Sequence, residues 1–108
     1  MAYVNELVGE CIIDKKRKLI DVKTHCEGKT VGFYFSANWC PPCRGFTPEL
    51  ITFYNTYSES KNFEIIFVSA DRTQISFNDY FETMPWLALE YQYNKKMVSI
   101  IKYLNTDS

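Results

Sequence analysis

The apolar pattern of this chain predicts a single α/β domain. Two short, almost uninterrupted apolar runs, residues 31–36 and residues 63–70, read as strands covered on both faces. Between and after them, apolar residues recur at the spacing of a helix face. The 108 residues leave little room for a second domain, so residues 1–108 are expected to form one unit. Strand, helix, strand in that order implies a parallel pair joined by a crossover. An apolar fraction of 46% is enough to build a core, which argues against disorder.

Residues 1–10 are weakly patterned and suit an arm or a short helix. Cys11-Ile12-Ile13 and Leu19-Ile20-Asp21-Val22 are β-prone pieces on either side of Asp14-Lys15-Lys16-Arg17-Lys18, a hairpin with its basic tip in water. The tip also resembles a nuclear-targeting patch, although a solvated turn is the plainer reading of a charge run. His25-Cys26-Glu27-Gly28-Lys29 reads as a loop that places His25 in solvent. After the first apolar run, Phe46, Leu50, Phe53, Tyr54 and Tyr57 define the inward face of a helix, and Pro48 inside it predicts a kink.

The second apolar run leads to Asp71 and Thr73, either of which can cap the next helix. Gln74, three residues after Asp71, offers a capping-box partner. Phe77, Tyr80, Phe81 and Met84 share one face of that helix, and Pro85 ends it. Trp86-Leu87-Ala88-Leu89 suits a loop or an edge strand, and Asn94 can cap a last helix with Met97, Ile100, Ile101 and Leu104 inward. Phe33, Phe35, Phe53, Phe67, Phe77 and Tyr80 sit at core spacings. Trp39, at a turn, is the aromatic expected to be exposed.

Twelve basic and thirteen acidic residues make no electrostatic case for binding nucleic acid. The first six residues do not read as a secretory signal, and no run approaches the length of a membrane span. Four cysteines would suit two disulfides in a secreted domain, but without a signal and with this much core material the intracellular reading is better. In a reducing compartment a close pair is more often catalytic or metal-binding than structural.

That pair is in Trp39-Cys40-Pro41-Pro42-Cys43, at the join between the first strand and the first long helix. A strand that turns into a helix there puts Cys40 at a helix N-terminus, where unpaired N–H groups and the helix dipole favour a thiolate. A thiolate is the nucleophile of disulfide exchange, so the segment reads as a redox dithiol. Zinc is a rival, with His25, Cys26, Cys40 and Cys43 as four donors, but the two prolines stiffen the turn and adjacent His25 and Cys26 chelate awkwardly. A Cys–His hydrolytic dyad with His25 lacks any motif for an oxyanion hole. Nothing in the spacing of Cys11 and Cys26 demands a partner, and Cys26, in the loop, is the more oxidisable of the two. No cofactor site and no metal site beyond that rival is legible.

The segment from Phe33 through Trp39-Cys40-Pro41-Pro42-Cys43-Arg44-Gly45-Phe46-Thr47-Pro48 resembles the active-site segment of the thioredoxin superfamily. Its Cys-Pro-Pro-Cys core, with Val68-Ser69-Ala70-Asp71 and Met84-Pro85-Trp86-Leu87-Ala88, is similar to the nucleoredoxin and tryparedoxin branch. The resemblance covers roughly residues 10 to 89. It implies a thioredoxin-like fold, a central mixed sheet flanked by helices. It also implies a protein-disulfide reductase in which Cys40 attacks and Cys43 resolves, with the reversible Cys40–Cys43 disulfide in place of any cofactor. Trp39 would shape the partner surface, and Pro41 and Pro42 would stiffen the turn.

Where thioredoxins carry a buried acid, this chain has Tyr34, which leaves proton transfer to water or to a nearby acid, with Asp71 the candidate. The resemblance further implies a cis-proline segment, two strands and a helix after the third helix, none of which the residues up to Ser108 supply. A chain without them would expose a sheet edge and associate with itself there. The alternative function is a redox-sensitive protein-binding module with little turnover. The implied partners are disulfide-containing proteins and a thiol electron donor, with no nucleic acid and no membrane, in the cytoplasm and also the nucleus.

Overall fold

A computed structural model describes residues 11–93 and residue 102. The arm or helix expected over residues 1–10 and the last helix, with Asn94, Met97, Ile100, Ile101 and Leu104, lie outside the described residues. In chain order the elements are β1 (Ile12–Ile13), α1 (Val22–His25), β2 (Thr30–Ser36), α2 (Pro41–Tyr57), β3 (Phe63–Ser69), α3 (Gln74–Phe81), β4 (Leu87–Leu89) and a short 3-10 turn (Tyr91–Tyr93).

The four strands form one mixed sheet in the order β1-β4-β3-β2. β2 and β3 run parallel from Thr30↔Phe63 to Ser36↔Ser69, β3 and β4 are parallel, and β1 pairs antiparallel with β4. Alternation along β3 sends Ile66 and Val68 to one face and Ile65 and Phe67 to the other, because successive side chains of a strand point to opposite faces. The first face packs on Cys11, Ile12, Val22, Cys26, Leu87 and Leu89. On the second, Phe77, Tyr80 and Phe81 of α3 close over Phe67 together with Met84 and Trp86.

β4 overturns the expectation of a loop or edge strand. It lies between β1 and β3 with all three residues buried, so both of its edges are paired. Three residues are too short for a period to be read, and only their neighbours decide their place. β2 departs in the opposite sense. Among the described residues it pairs with β3 alone, and of its seven residues only Ser36 is buried.

The hairpin is present, with Ile13 bridging Leu19 and the Ile20 N–H donating to Ile12 O at 2.9 Å. Asp14 Oδ1 accepts the N–H groups of Lys16 and Lys18, which lets Arg17 sit at φ 66° in the turn. The tip is not simply solvated. Lys15 Nζ donates to Phe81 O at 2.6 Å, and the Arg17 guanidinium lies 5.1 Å from the Phe81 ring centre, so two cations settle on the C-terminal end of α3. Val22 leaves the hairpin and starts α1, because Asp21 caps that turn through Lys23 N–H.

α2 runs unbroken through Pro48, but its inward face is not the expected one. Thr47 is its one buried residue, Leu50, Ile51 and Tyr54 are half-buried against the core, and Phe46, Phe53 and Tyr57 are exposed. Phe53 instead stacks on Phe63 at 5.4 Å on the flank of the domain. α3 is capped by Thr73, whose hydroxyl accepts Ser76 N–H, and not by Asp71; it ends at Phe81, before Pro85. Phe77, Tyr80, Phe81 and Met84 are all buried, as their spacing predicts.

Candidate active site

β2 delivers the chain to the site. Its last residue, Ser36, and the following Ala37 are buried, and Cys40 N–H donates to Ala37 O at 3.1 Å, closing the turn. Cys40 is the N-cap of α2 in extended conformation, with Pro41 and Pro42 opening the helix. Proline suits those positions because its missing N–H would have no helical acceptor there. Cys40 and Cys43 form a disulfide with their Cα atoms 5.3 Å apart, one helical turn along, and both residues are half-buried. Arg44 N–H bonds to Cys40 O at 3.0 Å, so the first turn of the helix is in register.

The loop in front of the cysteines is clamped onto the end of β3. Asp71 Oδ1 accepts Asn38 N–H at 2.7 Å and the Ser76 hydroxyl at 3.0 Å, while Oδ2 accepts the Ser69 hydroxyl at 2.7 Å. Tyr91 adds a hydrogen bond to the Asp71 carbonyl at 2.7 Å. Trp39 is 55% exposed, yet its indole N–H donates to Ala70 O at 3.1 Å and the Arg72 guanidinium lies 5.3 Å from its ring centre. Trp39 is thus an exposed but fixed aromatic surface beside the disulfide.

Behind the cysteines lies a cluster of hydroxyls in place of an acid. Tyr34 OH and Thr47 Oγ1 are 2.6 Å apart, Thr47 Oγ1 donates to Cys43 O at 2.9 Å, and Tyr80 OH lies 2.7 Å from both Thr47 Oγ1 and Ser36 Oγ. Burial holds the Tyr80 hydroxyl above the ordinary tyrosine range, so it stays protonated. Sequence reasoning placed Tyr80 in the core for its ring and passed over Ser36 and Thr47. The signal was a polar residue at the inward position of each element.

Two other expectations change. His25 is exposed, as expected, but it ends α1 and does not lie in a loop, and its Nε2 lies 3.2 Å from Oε2 of the buried Glu64. Glu64 Oε1 also accepts the Tyr54 hydroxyl at 2.8 Å and Ile65 N–H at 2.9 Å. Cys26 is fully buried, and burial, followed by the Glu64 charge, pushes its thiol up, which disfavours the reactive thiolate. Among the described residues no group of three or more histidine, cysteine or acidic side chains gathers to hold a metal ion. Nor is any helix among them long and apolar enough to cross a membrane.

A parallel β-α-β unit with a disulfide between cysteines three positions apart at the strand-to-helix turn is the core of a thioredoxin-like fold. Residues 28–107 match the thioredoxin-like family model, and the chain belongs to that oxidoreductase family. Its relatives there are tryparedoxins and nucleoredoxins. Tryparedoxin of Trypanosoma brucei brucei is 47% identical over 81 residues, covering 75% of this chain and 56% of the relative. Human nucleoredoxin is 59% identical over 66 residues, covering 60% of this chain and 15% of that protein. Among solved structures, tryparedoxin II of C. fasciculata superposes with a TM-score of 0.88 at 39% identity, over 99% of this chain and 72% of that one. The chain therefore spans little more than half the length of the trypanosome relative and a small part of nucleoredoxin.

Proposed function

We propose that this chain is an intracellular protein-disulfide reductase that works through its Cys-Pro-Pro-Cys dithiol. The observation that carries the reading is the Cys40–Cys43 disulfide with Cys40 as the N-cap of α2. In the reduced protein the helix N-terminus favours a thiolate at Cys40. That sulfur attacks a client disulfide and releases the first client thiolate. Cys43 then gives up its proton, attacks Cys40 Sγ and releases the second client thiolate, and the two leaving thiolates take protons from solvent. The dithiol is oxidised by two electrons and the client disulfide is reduced by two. A thiol electron donor restores the dithiol, so the reaction needs no other cofactor and no metal.

Trp39 offers the client an apolar platform, and Pro41 and Pro42 hold the turn. Asp71 is better suited to positioning than to proton transfer, because its carboxylate already serves three donors from Asn38, Ser69 and Ser76. A reducing compartment, the cytoplasm or the nucleus, is where such a dithiol is kept ready. The clients are disulfide-bearing proteins, not nucleic acids or membranes. Self-association through the edge of β2 that is unpaired among the described residues belongs to the same proposal.

The test is turnover with dithiothreitol as donor and insulin as client. The chain should reduce insulin, Cys40→Ser should abolish the activity, and Cys43→Ser should accumulate mixed disulfides. A wild-type rate equal to that of Cys40→Ser would overturn the reductase reading. The fixed, exposed Trp39 favours a second reading, a redox-dependent binding module. In that case partner capture would differ between oxidised and reduced protein and be lost in Trp39→Ala, without turnover.

A further inference from the structure

The hydroxyl cluster behind the dithiol has a direction, and it ends at Cys43. Thr47 Oγ1 has one proton and two lone pairs. Its proton goes to Cys43 O at 2.9 Å, so its two close hydroxyl neighbours, Tyr34 at 2.6 Å and Tyr80 at 2.7 Å, must both donate to it. Tyr80 has then used its proton and accepts from Ser36 at 2.7 Å. One arrangement satisfies the four short bonds: Ser36 to Tyr80, Tyr80 and Tyr34 to Thr47, and Thr47 to the Cys43 carbonyl; the Tyr34 hydroxyl, also 3.4 Å from Cys43 O, gives its one proton to the nearer Thr47. The chain joins the end of β2, the middle of α3 and the first turn of α2.

That turn needs the tie. Pro48 has no N–H, so the carbonyl of Arg44, next to Cys43, lacks its helical donor. Thr47 lies immediately before that gap and is the one buried residue of the 17 in α2. On the solvent side, Thr47 and Tyr80 line a groove of about 220 Å³ between α2 and α3, whose walls include Asn38, Arg44, Pro48 and Asp79.

We propose that Thr47 and Tyr80 are positioning residues for Cys43: their hydroxyls hold the backbone of the resolving cysteine against β2 and α3 and thereby set how fast it closes on Cys40. The proposal rests on the dithiol reading above. Ring closure is an intramolecular step whose rate follows how well the attacking sulfur is held beside its target. Attack by Cys40 on a client disulfide uses the N-cap position itself, and the cluster's hydrogen bonds go to Cys43 and not to Cys40, so the two steps separate.

The experiment uses the reduced chain and an aryl disulfide whose released thiolate is coloured. Cys40 attack releases one aryl thiolate, and closure by Cys43 releases the second. Tyr80→Phe and Thr47→Val should leave the first phase within about twofold of wild type and slow the second by about three- to tenfold, the loss of one or two hydrogen bonds. Thr47→Ser, which keeps the hydroxyl, should recover most of the second-phase rate, and Ser36→Ala, at the far end, should have the smallest effect. Thermal melts accompany each variant, and Thr47→Val and Tyr80→Phe provide two independent routes to the same readout. Equal slowing of both phases, or an unchanged second phase in both variants, would overturn the proposal while leaving the dithiol reading intact. A wild-type protein that releases no second thiolate would instead overturn the dithiol reading.

Discussion

β2 and β3 are parallel neighbours of seven residues each, paired residue for residue, and their sequences carry much the same apolar run. β3 is buried from Glu64 to Ser69, with strands on both sides and a core cluster on each face. β2 has one partner strand among the described residues and buries only Ser36 fully. The disulfide sits with the less protected of the two. β2 carries Tyr34 and Ser36 and ends in the turn to Cys40, whereas β3 supplies the platform of Ser69, Ala70 and Asp71 that fixes that turn. A reactive turn needs access, and its position is supplied by the buried strand beside it.

The largest expected effect comes from truncating the same kind of side chain on each strand. Phe67 on β3 is fully buried among the rings of Tyr34, Phe77, Tyr80 and Phe81. Phe67→Ala should cost about 3–5 kcal/mol in urea unfolding, the usual cost for a core phenylalanine. Phe33 on β2 is half-buried. Phe33→Ala should cost about 1 kcal/mol, roughly half of what full burial of such a side chain is worth. Equal losses would erase the contrast between the strands.

A smaller effect concerns the polar anchor of β3. Burial, and then its hydrogen bond to Glu64, raise the Tyr54 hydroxyl above its ordinary range. In the unfolded chain Tyr54 ionises near pH 10, but in the folded chain it keeps its proton, so the folded state binds more protons as the pH rises. The stability from this site is complete below about pH 10 and is lost as the pH climbs beyond it. Urea unfolding at pH 9 and at pH 10.5 should show that loss in wild type and a shallower one in Tyr54→Phe. An identical slope in the two proteins would remove Tyr54 from the account.

The smallest effect on stability is expected at the edge of β2 that has no partner strand among the described residues. Thr30 is exposed there, and Thr30→Lys should change unfolding free energy by less than about 0.5 kcal/mol. Light scattering should nevertheless show weaker concentration-dependent association than wild type, since lysine blunts an edge strand. Wild-type protein that stays monomeric across the concentration range would confine the difference between the strands to burial alone.

Much of the site was legible in the residues. Trp39-Cys40-Pro41-Pro42-Cys43 announces a dithiol at a helix start because two prolines suit the first turn of a helix and little else. The Phe77, Tyr80, Phe81 and Met84 face was equally plain. The hydroxyl cluster was not, since Ser36, Thr47 and Tyr80 stand 11 and 33 residues apart in the chain and meet only when β2, α2 and α3 pack. His25 and Glu64 met in the same way, across 39 residues, and turned a loop histidine into the partner of a buried acid.

The sequence by itself determined most of the local elements, their order and the cysteine pair that forms the disulfide, because period, caps and prolines act within a few residues. Only the tertiary structure decided which strand is central, which face of α2 turns inward and which hydroxyls reach Cys43. A run of apolar residues has the same period whether it has neighbours on one side or on two. The difference between β2 and β3 therefore arises from pairing over distance.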